Sequence, residues 1–83
     1  IPNGLNIKSA AIYRIRIQGN LEQKWSDSLS GLQITLNHQA GAAPESLLVG
    51  KLADQAALSG VLNTLYDMNF PVLSVECLEK LEE

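Results

Sequence analysis

The sequence has one cysteine, Cys77, and one histidine, His38, in 83 residues. A lone cysteine cannot form an internal disulfide, and no Cys-x-x-Cys pair or Cys/His cluster is present that could hold zinc. The glycines form neither a Gly-x-Gly-x-x-Gly pattern nor a P-loop, so no nucleotide cofactor is expected. These absences predict a protein without metal or cofactor. They also favour a reducing compartment, which we expect to be the cytoplasm.

Charged residues are also scarce, at 18% of the chain, and the net charge is −3. Segment 76–83 holds four glutamates and one lysine and therefore accounts for all of this excess, which leaves the rest of the chain neutral. Nucleic-acid backbones require clustered Lys and Arg, so nucleic acid is not an expected partner. No apolar run approaches the ~18 residues that cross a bilayer, so no membrane partner is expected either.

What the sequence does contain is alternation of apolar and polar residues, the pattern of half-buried strands. This alternation is clearest from Tyr13 to Gln18, and it recurs before and after a helical segment. A third apolar stretch begins at Ser46. The patterns predict four strands, at residues 11–18, 32–37, 46 to about 52, and 73–77. A one-turn helix is expected between the first two strands, after Trp25.

A single helix of about 14 residues is predicted to follow Asp54, because a short carboxylate there can accept hydrogen bonds from the first helical turn. Asn69 suits the left-handed position after the helix, and Pro71 cannot continue it. Gly60 lies inside the helix, which predicts close approach of the backbone to another group, and packing against the sheet is favoured over a ligand. The apolar stripe of the helix consists of Leu58, Val61, Leu62 and Leu65.

The element order β-β-β-α-β predicts an α+β fold with a four-stranded mixed sheet and one main helix on one face. We expect the first three strands to form an antiparallel meander, and the fourth to lie beside the first and parallel to it. Residues 1–10 are expected to be an extended lead-in, 11–78 the single domain, and 79–83 a frayed acidic tail.

The alternation also predicts which side chains the helix covers. The residues expected to face the helix are Tyr13, Ile15, Ile17, Ile34, Leu36, Leu73, Val75 and Cys77. Those expected on the opposite, uncovered face are Arg14, Arg16, Gln18, Gln33, Thr35, Asn37, Ser74 and Glu76.

The chain contains, in order, a strand at 13–19, the turn Trp25-Ser26-Asp27, a second strand at 31–35, the helix start Asp54-Gln-Ala-Ala-Leu58, the pair Leu62-Asn63 and the strand Leu73-Ser-Val75. Together these segments resemble a group of small uncharacterised bacterial proteins. The resemblance covers residues 12–77 in the same order. It implies the same fold and no particular activity. This chain departs from the group in having Ser28 and Leu29 in place of an aromatic pair, and Ser59 in place of a histidine.

Four residues are candidates for contact with another molecule. Arg14 and Arg16 point to one side of the first strand, and Glu76 of a neighbouring strand can face them. A cross-strand ion pair is the favoured interpretation, and a patch for anions or a partner is the alternative. Trp25 either covers the edge of the core, which we favour, or anchors an interface.

Catalysis has little support in the sequence. His38 is favoured as a solvated loop residue, because no orienting partner accompanies it. Cys77 is expected in the core. We therefore predict a non-enzymatic interaction or assembly module that forms a homodimer and binds an unknown larger protein. The alternative is a sensor that binds an anionic metabolite on the uncovered sheet face.

Overall fold

The computed structural model describes residues 10–37 and 41–81 of the chain. Its elements, in order, are β1 (Ala10–Gln18), a 3₁₀ helix (Gln23–Leu29), β2 (Gln33–Asn37), β3 (Glu45–Leu52), α1 (Gln55–Asp67) and β4 (Val72–Leu81). The four strands form one sheet, and α1 packs on one side of it. The predicted α+β class, with four strands and one main helix, is confirmed.

The order of the strands in the sheet is β2-β3-β1-β4, and every neighbouring pair is antiparallel. The predicted position of β4 beside β1 is confirmed. The meander is wrong, because β2 pairs with β3 and not with β1. The expected parallel pairing of β4 with β1 is also wrong, so the sheet is antiparallel and not mixed.

The connection between β1 and β2 explains this strand order. Residues 19–32 contain the 3₁₀ helix, and Leu29 at its end is fully buried in the core. The Ser26 hydroxyl donates to the Leu32 carbonyl at 2.6 Å and holds the exit from this helix. The chain thus enters β2 on the far side of β3, and both edges of β1 remain free for β3 and β4.

The hydrophobic core lies between the sheet, α1 and the 3₁₀ helix. Of the residues predicted to face α1, Ile15, Ile17 and Ile34 are buried, and Tyr13 packs partly buried against them. Leu36 on β2 and Leu73, Val75 and Cys77 on β4 were expected in the core but are exposed. The reason is width: a helix about 10 Å across cannot cover four strands spaced about 4.8 Å apart, so Leu36 and most of β4 stay exposed.

Both predicted ends of the helix are confirmed. The Asp54 carboxylate accepts from the Ala57 backbone N–H at 2.9 Å. At the other end Asn69 has φ of 65°, and its N–H donates to the Tyr66 carbonyl at 2.9 Å. The N–H of the next residue, Phe70, donates to the Leu65 carbonyl at 3.0 Å, which completes a Schellman motif.

Gly60 is exposed on the helix, and a Cβ atom added there would meet nothing within 4 Å. The close packing predicted from its sequence position is therefore wrong. Since an exposed glycine in a helix interior costs about 1 kcal/mol relative to alanine, we expect Gly60→Ala to stabilise the domain by about that amount. Urea unfolding measures this change, and an unchanged or lower midpoint would contradict it.

Strand β4 is longer than the alternation predicted. It runs to Leu81, because Ala10, Ala11 and Ile12 of β1 pair with Leu81, Lys80 and Glu79. Residues 79–81 are therefore strand and not a frayed tail. The lead-in at residues 1–9 and the tail end at 82–83 lie outside the described residues.

Candidate functional site: the open face of the sheet

The sheet has one side away from α1, which we call the open face. Its residues follow from the register, since directly paired residues of antiparallel strands share a face. Arg14 pairs with Val49 on β3 and Glu76 on β4, and Arg16 pairs with Leu47 and Ser74. The eight residues predicted for the uncovered face all lie on it. No element among residues 10–37 and 41–81 covers this face.

Arg14 and Glu76 form the ion pair that the sequence favoured. Both Nε and Nη2 of Arg14 donate to the same carboxylate oxygen, Oε1 of Glu76, at 2.9 and 2.6 Å. The two side chains are 43% and 50% exposed, so water screens the pair. Such a cross-strand pair contributes about 0.2–1 kcal/mol to stability. It mainly orders both side chains on the face.

Arg16 has a carboxylate partner that sequence reasoning missed. Its Nε lies 3.4 Å from Oε1 of Glu45, the first residue of β3. Glu45 pairs with Gln18, one step along the face, so the contact is diagonal. The sequence carried no signal for it, because the predicted meander separated β1 from β3. Each arginine of the candidate site is thus already beside a carboxylate.

The open face also carries apolar side chains beside these ion pairs. Ile12, Leu47 and Val49 lie half-buried on the two central strands. The sequence did not single them out, since β3 read as a continuous apolar run in which neither face was distinguished. The charged side chains of the face balance, with three basic and three acidic residues, namely Arg14, Arg16, Lys51, Glu45, Glu76 and Glu79.

Trp25 is not part of this face. It lies on the 3₁₀ helix, which packs against α1 and β2 on the helix side. Trp25 is 39% exposed and is not among the residues of the core cluster, so its covering of the core edge stays a prediction. The Lys24 ammonium sits 5.6 Å from the centre of its ring. The structure therefore separates Trp25 from the other three candidate residues.

The residues considered for chemistry do not assemble into a site. His38 lies outside the described residues. Cys77 is exposed on β4. In the described part of the chain, no three His, Cys, Asp or Glu side chains are grouped as metal ligands. A shallow depression of about 220 Å³ beside Arg16, Asn37 and Glu45 is smaller than the roughly 300 Å³ at which small-molecule pockets begin.

Comparison with known proteins connects this fold to a family. The model of a domain of unknown function, DUF8691, matches residues 12–76. The chain belongs to the DUF8691 family. The matched region runs from β1 into β4 and includes the candidate residues Arg14, Arg16, Trp25 and Glu76. No curated protein and no solved structure matched the chain. Among the helices of the described DUF8691 domain, none is long and apolar enough to cross a membrane.

Proposed function

We propose that this DUF8691 chain is a non-enzymatic protein-interaction module that acts as a homodimer and receives a larger protein on its open face. The observation that carries this proposal is the composition of that face. Ile12, Leu47 and Val49 lie beside two ion pairs and have no cover in the described residues. Protein interfaces combine apolar side chains with polar groups in this way.

The charge of the open face supports a protein partner more than an anion. A metabolite anion would have to displace Glu76 from Arg14, where two donors reach one oxygen at 2.9 and 2.6 Å. The second arginine has Glu45 as a neighbour at 3.4 Å. With basic and acidic side chains in balance, the face also has no net attraction for a phosphate backbone. The sensor alternative therefore has less support than the interaction module.

Substitution of Leu47 tests this role of the face. Leu47 lies half-buried on this face, directly opposite Arg16, so Leu47→Lys places a charge where the partner would exclude water. Tagged wild-type chain, expressed in the native cells, is purified with its bound proteins, which are quantified by mass spectrometry. We expect a protein retained by the wild type to be lost at least tenfold from the Leu47→Lys variant.

The matched control is Leu36→Lys, because Leu36 is 53% exposed on the other side of the sheet. This control should retain the partner, and circular dichroism establishes that both variants are folded. A set of bound proteins that is the same for wild type and Leu47→Lys would count against the open face as the docking surface. Loss of the partner from Leu36→Lys alone would also contradict it.

A further inference from the structure

Strand β4 forms one edge of the sheet in the described structure, and it is long and exposes apolar side chains. It spans ten residues, whereas β2 at the other edge spans five and is packed by the 3₁₀ helix. Leu73, Val75 and Leu78 are 41%, 40% and 47% exposed. An edge strand of this kind offers backbone N–H and C=O groups to another strand, so its natural partner is itself a strand.

The alternation of β4 gives a second reason to expect a partner. Leu73, Val75 and Cys77 follow the period of a buried strand face, but the helix is too narrow to cover them. By register, Val75 lies opposite Ile15 and Cys77 opposite Tyr13, so both share the side of the core. A strand added beside β4 would cover these side chains and continue the core outward.

We infer that this strand is a second copy of β4, paired antiparallel about a twofold axis. A twofold axis normal to the sheet keeps the two helices on the same side. Because paired residues must share a face, each β4 residue can then lie opposite only its own copy or a residue an even number of positions away. Register shifts at Ile12/Tyr13 and Arg16/Ile17 divide the regular pairing of β4 into Ser74–Cys77 and Glu79–Leu81, of which Ser74–Cys77 is the longer stretch. Two registers fit within that stretch, one centred on Val75 and the other on Glu76.

The charges decide between these two registers. Centring on Glu76 sets two carboxylates against each other, which is unfavourable for directly opposed residues. Centring on Val75 sets the two Val75 side chains together and places Ser74, a hydroxyl donor, opposite Glu76. The two exposed Val75 side chains thus cover one another, and the Arg14–Glu76 pairs stay on the open face.

This dimer deepens the proposed function, on which it rests in treating the chain as an interaction module. One open face, about 19 Å wide and about 25 Å long, has a projected area of about 500 Å² by the dimensions of a four-stranded sheet. A stable protein interface buries about 800 Å² on each partner. Pairing through β4 joins two open faces into one eight-stranded surface of sufficient size.

Light scattering after size exclusion tests the dimer. At about 100 μM we expect a mass of twice the 9.0 kDa chain for the wild type, falling to half that value for Val75→Lys. Leu36→Lys, at the opposite edge of the sheet, is the matched control and should remain dimeric. A monomeric wild type, or a Val75→Lys variant that stays dimeric, would overturn the proposal. A mass that keeps rising with protein concentration would also overturn it. Such a rise indicates an open-ended assembly, in which the β4 edge of one copy pairs with the β2 edge of the next.

Cross-linking tests the register. In a Cys77→Ser background, Val75→Cys should form a disulfide-linked dimer under mild oxidation, because the two Val75 positions face each other. Leu36→Cys in the same background should remain monomeric. Equal cross-linking of the two variants would overturn the Val75-centred pairing. The dimer and the docking surface are tested separately. If the wild-type chain is monomeric but Leu47→Lys still abolishes binding of the partner, the β4 dimer is wrong and the open face remains the proposed docking surface.

Discussion

Ser46→Ala is expected to destabilise the domain by about 2 kcal/mol or more. Ser46 is fully buried on β3, and its hydroxyl serves two backbone groups of the connection after β1. It accepts from the Leu21 N–H at 2.9 Å and donates to the Gly19 carbonyl at 2.7 Å. Alanine would leave these groups without a partner, and each buried unsatisfied group costs about 1–3 kcal/mol.

Thermal unfolding measures this effect, since 1 kcal/mol shifts the midpoint of a domain of this size by about 4–8 °C. The control is Ser59→Ala, because Ser59 is exposed on α1 and its replacement should change stability by less than about 0.5 kcal/mol. If both variants unfolded at nearly the same temperature, Ser46 would not hold the connection as described.

Gly19→Ala is the second substitution with a large expected effect. Gly19 directly follows β1 and has φ of 121°, which side-chain-bearing residues rarely adopt. An added Cβ would also lie 2.8 Å from Cδ1 and Cε1 of the Phe70 ring, which packs against the core. Backbone strain costs about 1–3 kcal/mol and overpacking a similar amount, so we expect a loss of about 3 kcal/mol.

Gly31→Ala separates these two causes. Gly31 also has a positive φ, of 74°, but a Cβ there meets nothing within 4 Å. Its replacement should cost about 1–2 kcal/mol, from the left-handed conformation alone. Urea unfolding of both variants gives the difference. A Phe70→Ala change should recover part of the loss in a double-mutant cycle with Gly19→Ala, and fully additive effects would show that the ring does not cause it.

Local sequence signals predicted the elements of this fold well. The strand at Tyr13–Ile17 and the helix after Asp54 depend on nearest-neighbour chemistry: alternation in the first, and a carboxylate reaching the Ala57 N–H in the second. Asn69 likewise adopts the left-handed conformation that its type and position predict. Each of these features depends only on residues that are a few positions apart, so it can be predicted from the sequence.

Part of the candidate site was also within reach. Arg14 and Glu76 were expected to pair once β4 was placed beside β1, and they do. Glu45 was not predicted to contact Arg16, because that contact requires β3, and not β2, beside β1. The prediction from Gly60 was wrong: a glycine inside a helix can indicate close packing, but nothing lies near this one.

The sequence by itself determined where the strands and the helix begin and end, to within a few residues, and which side of β1 carries the arginines. Only the tertiary structure decided the strand order, the role of Ser46, and which apolar residues stay exposed on β4. The physical reason is the distance along the chain over which each interaction acts. Periodicity and capping involve residues a few positions apart, whereas strand order and burial depend on how the 3₁₀ helix and α1 pack on the sheet.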